Sequence, residues 1–127
     1  MDILIADDDL ISRNYLWALL ESMGHFVIAC EDGRSAWKAY QMANFRVAIL
    51  NSAIPELSGL ELCRAIRETP QQQRCHVIIS SSQTGEHDQR EIRDAGADDF
   101  LVRPLQKEDI IARMSAIGSV LVSAAQG

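Results

Sequence analysis

Residues 46–62, RVAILNSAIPELSGLEL, carry the pattern from which the fold is read. The run VAIL at 47–50 is apolar without any polar alternation, so it is expected to be a strand buried on both faces, as in a parallel sheet. It ends in a polar residue, Asn51. Pro55 and Gly59 then punctuate a turn before a segment of helical spacing begins. Similar apolar runs recur as ILIA at 3–6, FVIA at 26–29, VII at 77–79 and FLV at 100–102.

The segments between these runs have the spacing of amphipathic helices. In 10–23 the stripe is Leu16, Leu19, Leu20 and Met23, stopped by Gly24; in 33–43 it is Ala36, Trp37 and Tyr40. In 58–68 it is Leu62, Cys63 and Ile66, and in 106–121 it is Ile110, Ile111, Met114, Ile117 and Leu121. Segment 85–95, GEHDQREIRDA, has Ile92 as its single large apolar residue, so a helix there is expected to be mostly solvated and to face a partner or move. Trp17, Trp37 and Tyr40 read as packing residues. Strand and helix alternating with short turns predict an α/β, doubly wound sheet with helices on both faces.

A chain of 127 residues is one domain with room for a single core. Domain limits of 1–120 are expected, with 121–127 as a tail or the start of a linker to an output domain. Composition is that of a globular protein, 47% hydrophobic and 24% charged. The net charge of −6 argues against general nucleic-acid binding by this domain, which needs a basic face. Cys30, Cys63 and Cys75 are odd in number and widely spaced, which fits buried thiols in a reducing cytoplasm better than a disulfide framework or a zinc site. No secretory leader is legible, and no apolar stretch reaches the ~18 residues of a membrane span. A cytoplasmic protein is expected.

Functional residues of such a sheet collect beyond the carboxyl ends of its strands. Those ends carry Asp7, Asp8 and Asp9, then Asn51, then Ser80 to Ser82, then Arg103 and Pro104. Asp9 is expected to cap the first helix. Asp7 and Asp8, paired at a strand end, read as part of a site.

Taken together, ILIADDD at 3–9, the P-x-x-x-G of Pro55 to Gly59, GADDFLVRP at 96–104 and KEDIIARM at 107–114 resemble the receiver domain of two-component response regulators over essentially the whole chain. The resemblance implies a flavodoxin-like (βα)5 fold with strand order 2-1-3-4-5 and a signalling protein, not an enzyme. It also implies a site in which an acidic pair, here Asp7 and Asp8, binds Mg²⁺. The acceptor position is Asn51, the hydroxyl is Ser81, the switch aromatic is Phe100, and the lysine position is Arg103, before a Pro104 whose peptide bond is often cis in the family.

Three of these positions depart from the family. A neutral carboxamide at 51 lacks the charged oxygen that forms an acyl phosphate. Arg103 brings a planar, permanently charged fork where a compact ammonium is usual, so a bidentate contact to Asp7 or Asp8 is expected. At an effective dielectric of about 20, charges ~4 Å apart attract by roughly 4 kcal/mol before desolvation. Both changes lower the need for Mg²⁺ at Asp7 and Asp8, so no cofactor is expected to be required. Phe100, where tyrosine is common, favours burial.

The expected function is a degenerate receiver, regulating a protein partner or an attached output domain. Family members dimerise through the face of 86–118, so Arg90, Arg93, Asp98, Asp99, Lys107 and Arg113 are candidates for pairs across a two-fold axis. Two alternatives stand beside it: phosphotransfer to Ser52 or Ser81, and a haloacid-dehalogenase-like phosphohydrolase using Asp7-x-Asp9 with Asp98 and Asp99.

Overall fold

The computed structural model describes residues 1–70 and 73–126. Among them, β1 (Asp2–Ala6), α1 (Leu10–Ser22), β2 (Phe26–Cys30), α2 (Gly33–Met42) and β3 (Val47–Asn51) are followed by α3 (Gly59–Glu68), β4 (His76–Ser81), α4 (Glu86–Asp94), β5 (Asp99–Val102) and α5 (Lys107–Gln126). The strands are parallel, in the order β2-β1-β3-β4-β5, as expected.

Successive side chains of a strand point to opposite faces of the sheet, and here both faces are covered. Leu4, Ala6, Ala48, Leu50, Val77 and Ile79 pack beneath α2, α3 and α4 with Ala36, Tyr40, Leu62, Cys63, Ile66 and Ile92. Ile3, Ile5, Val47, Ile49, Ile78 and Leu101 pack on the other side against Leu16, Leu20, Ile110, Met114 and Ile117 of α1 and α5. A strand apolar on both faces has no alternation to show, which is why the runs are continuous in sequence.

The register aligns the carboxyl ends. Ala6 pairs with Leu50 and Asn51 with Ser80, so Asp7, Asn51 and Ser80 stand side by side at the top of the sheet. Two glycines let the helices approach this rim. A Cβ on Gly59 would meet the Asn51 carbonyl oxygen at 2.3 Å, and one on Gly33 would meet that of Leu57 at 1.8 Å. The loop bends at Glu56, which has φ +71°.

Two details differ from the sequence expectations, the exposure of Trp17 and that of Met23. Trp17 is 42% exposed and is not a core residue, whereas Trp37 and Tyr40 stack with ring centroids 5.7 Å apart. In α1, Leu16 and Leu20 of the expected stripe are buried, but Met23 at the C-cap is 36% exposed, and Leu10, Ile11 and Tyr15 face outward with Trp17. Helix α5 runs on to Gln126; Gly127, the end of the expected tail, lies outside the described residues.

Candidate functional site

The site begins with Asp7, one residue beyond β1 and only 1% exposed. Its N–H donates to the Cys30 carbonyl at 3.0 Å, so the backbone at Asp7 continues the sheet pairing. The Asp7 carboxylate accepts four N–H groups. Asp9 N–H donates to Oδ1 at 3.0 Å, Asn51 Nδ2 to Oδ1 at 3.3 Å, Arg103 Nη2 to Oδ1 at 3.4 Å and Arg103 Nη1 to Oδ2 at 2.9 Å.

Asn51 is held in one orientation. Its Oδ1 accepts the Ala53 N–H at 3.2 Å, so its Nδ2 is left to face the acids, reaching Asp8 Oδ1 at 3.5 Å as well as Asp7. An aspartate here would present an oxygen to two carboxylates; the amide presents hydrogens to them. Asp8 itself is exposed.

Arg103 closes the site from the end of β5. The Arg103–Pro104 peptide bond is cis, and the Arg103 N–H donates to the Ser81 carbonyl at 2.9 Å. Besides Asp7, its guanidinium donates to Ser80 Oγ at 3.1 Å and to Ser12 Oγ at 3.0 Å. One side chain thus ties β1, β4 and α1 to the end of β5. The expected bidentate contact is present, and it goes to Asp7 and not to Asp8. The helix cap is as expected: Asp9 accepts the Ser12 N–H at 3.0 Å and the Ser12 hydroxyl at 2.6 Å, which together hold its carboxyl below the ordinary range.

Ser81 lies near the others but does not join them. It is buried, and its Oγ accepts the Gln83 N–H at 3.0 Å. The hydroxyls on the guanidinium are Ser80 and Ser12, which sequence reasoning did not single out. Strand register was the signal for Ser80, since it stands opposite Asn51; Ser12 gave none beyond following the cap by three residues. Phe100 is partly buried and packs against the core under α2, α3 and α4.

Of the six acids and bases expected at an interface, Asp98, Asp99 and Arg113 are engaged within the chain. Asp98 accepts Arg67 Nη2 at 2.7 Å and the Val77 N–H at 2.9 Å, and pairs with Arg74 at 2.6 Å. Burial pushes the Asp98 carboxyl up. The Arg74 and Val77 hydrogen bonds and the Arg67 charge outweigh it, so the carboxyl is held below its ordinary range. Asp99 pairs with Arg113 at 2.9 Å. The His76 ring stands 3.9 Å from each of Asp98 and Asp99. Arg90, Arg93 and Lys107 are exposed. Arg67 was not a sequence candidate, because nothing local links it to residues about 30 positions further on.

The response regulator receiver domain matches residues 3–115. The chain belongs to that family. This is a signalling fold and not an enzyme family, which sets the phosphohydrolase alternative aside. The receiver is 33% identical over 111 residues to the gliding motility regulatory protein of Myxococcus xanthus and 31% identical over 117 residues to the two-component response regulator PhoP of Pseudomonas aeruginosa. It aligns over 87% and 92% of its own length with 14% and 51% of theirs, so it spans about half or less of these relatives. The chemotaxis response regulator CheY4 of Vibrio cholerae superposes with a TM-score of 0.86 at 26% identity, covering 91% of this chain and 97% of that one. The N-terminal domain of a Wolinella succinogenes protein has the same fold, with a TM-score of 0.88 at 20% identity, covering 98% of each chain.

Receiver domains typically bind Mg²⁺ at the phosphorylation site. The receiver described here offers that cation a poor set of donors. Mg²⁺ takes open carboxylate oxygens in a near-octahedral arrangement. Asp7 instead faces four N–H donors with a guanidinium nitrogen 2.9 Å away, and position 51 supplies an amide. Among the described residues, no group of three or more His, Cys, Asp or Glu is placed to hold a metal ion. Among those same residues, no helix is long and apolar enough to cross a membrane.

Proposed function

We propose that this receiver is a signalling module that works without a phosphoryl group on residue 51 and acts through protein contacts. The observation that carries the reading is the orientation of Asn51, whose Nδ2 faces Asp7 and Asp8 while its Oδ1 is held by Ala53 N–H. A neutral amide offers no charged oxygen for attack on phosphorus. The conformation that other receivers reach by phosphorylation or its loss is here fixed by the chain's own side chains. The domain then regulates an attached output domain or a separate partner, in the cytoplasm, with no cofactor required and no direct contact with nucleic acid or membrane.

The contact surface best suited to this is the face of 86–118. Helix α4 buries only Ile92 and leaves most of its charged residues in solvent, Arg90 and Arg93 among them, with Lys107 exposed nearby. With Asp98, Asp99 and Arg113 already paired within the chain, Arg90, Arg93 and Lys107 would meet exposed acids of a second copy or of another partner. Exposed pairs add little energy each but set register and partner choice.

The test is incubation of the wild-type receiver with acetyl phosphate and Mg²⁺, followed by intact-mass analysis. No added phosphoryl mass is the expected result. A stoichiometric adduct mapped to Ser52 or Ser81 would replace this reading with phosphotransfer to a serine.

A further inference from the structure

We propose that Arg103 is a built-in replacement for the divalent cation. Its guanidinium occupies the place where metal charge would act on Asp7, and it keeps Mg²⁺ out even when an acid is restored at residue 51. The proposal rests on the same pocket as the functional reading but concerns a different residue, and it can fail independently.

Three observations converge on it. The first is saturation of Asp7. An ionised carboxylate has about four lone-pair sites, and Asp7 receives four donors, three on Oδ1 and one on Oδ2. A cation could reach Oδ2 only by expelling Arg103 Nη1 or by settling beside a fixed positive charge. The second is the cradle around the guanidinium. Ser80 Oγ and Ser12 Oγ each accept one N–H, on Nη1 and Nη2 respectively, so the same two nitrogens that grip Asp7 are also held from β4 and α1. Such a fork cannot be imitated by the single nitrogen of a lysine.

The third is the local charge. With Asn51 neutral, the acids in contact with residue 51 are Asp7, which is buried, and Asp8, which is exposed. One fixed cation on Asp7 satisfies the buried member of the pair. What a bound ion does by bridging strand ends, Arg103 does in cis, at a side chain only 15% exposed. Changing Asn51 to Asp alone places a new carboxylate beside Asp7 and within the field of the same guanidinium. That strengthens the hold of Arg103 on the pocket and does not open Asp7 to metal.

The experiment is Mg²⁺ titration of four forms of the receiver, wild type, Asn51→Asp, Arg103→Lys and Asn51→Asp/Arg103→Lys, followed by backbone amide shifts of Asp8, Ser81 and Phe100. Circular dichroism confirms that each form is folded. The wild type and Asn51→Asp are expected to show no saturable shift. The double variant is expected to show a saturable shift at Mg²⁺ concentrations roughly tenfold or more below the highest at which Asn51→Asp still shows none. A saturable site in the wild type or in Asn51→Asp overturns the proposal, and so does a double variant that is folded but still blind to Mg²⁺. Metal uptake by the wild type without phosphoryl adduct would defeat this proposal and leave the functional reading standing; an adduct on a wild-type serine would do the reverse.

Discussion

The guanidinium of Arg103 donates to both carboxylate oxygens of Asp7, at 2.9 and 3.4 Å, across 96 residues of sequence. The pair is nearly enclosed, and so its energetics are those of a buried ion pair. Attraction is large, desolvation is large, and the net contribution is modest until one partner is removed. Loss of either partner leaves a lone charge in the interior.

Arg103→Ala is therefore expected to lower unfolding free energy by about 3 kcal/mol, with Tm falling by roughly 10 °C or more. Combining it with Asp7→Asn is expected to restore part of that loss, because the orphaned carboxylate is gone. Urea denaturation of the two single variants and the double variant measures the coupling. Additive losses would mean that the two side chains do not interact.

Gly59→Ala is expected to disturb the site from the outside of the pocket. The new Cβ would lie 2.3 Å from the Asn51 carbonyl oxygen and 2.9 Å from the Ser52 Cα, both of them backbone atoms that yield only if the start of α3 shifts. Overpacking of this kind costs about 1–3 kcal/mol. Amide shifts should concentrate at 51–60, and an unperturbed Asn51 side-chain amide resonance would count against the tight packing described.

Acid sensitivity should trace to Asp98. Its folded carboxyl titrates below the ordinary value of 3.8, since Arg74, Val77 N–H and Arg67 outweigh the opposing effect of burial. The folded state then binds this proton less readily than the unfolded chain does. The contribution to stability is complete above that ordinary value and is lost as pH falls through the folded value. Urea midpoints of wild type and Asp98→Asn should differ near neutral pH and converge below about pH 4. A constant gap down to pH 3 would contradict the assignment.

Thiol reactivity should rank the cysteines. Burial pushes the Cys75 thiol up to about 12 and raises Cys63 as well, while Cys30 is raised by burial and by Asp32 but is partly exposed. A thiol-specific reagent at pH 8 is expected to modify Cys30 slowly and the other two only on unfolding. Fast native labelling of Cys75 would be incompatible with its position.

Much of this architecture was legible in the sequence for one physical reason: a strand buried on both faces must be apolar at every position, and ILIA and VAIL are. The rim was legible because parallel strands all deliver their carboxyl ends to one edge, so Asp7, Asn51 and Arg103 had to share that edge. Which serine meets Arg103 was not. Ser80 and Ser81 are adjacent, and the pleat sends them to opposite sides. Trp17 was misplaced because α1 is apolar on nearly all sides. The Arg67–Asp98 pair escaped notice because a contact between the end of α3 and the start of β5 leaves no local pattern.

The most direct test of the central claim is a backbone amide spectrum of the wild-type receiver with and without Mg²⁺ and beryllofluoride, a mimic of the phosphoryl group. With Asn51 turned toward the acids and Arg103 seated on Asp7, the spectra are expected to coincide. Saturable shifts at Asp7, Ser81 and Phe100 that spread through 86–103 would contradict the account and show that the pocket still operates as a phosphate-driven switch.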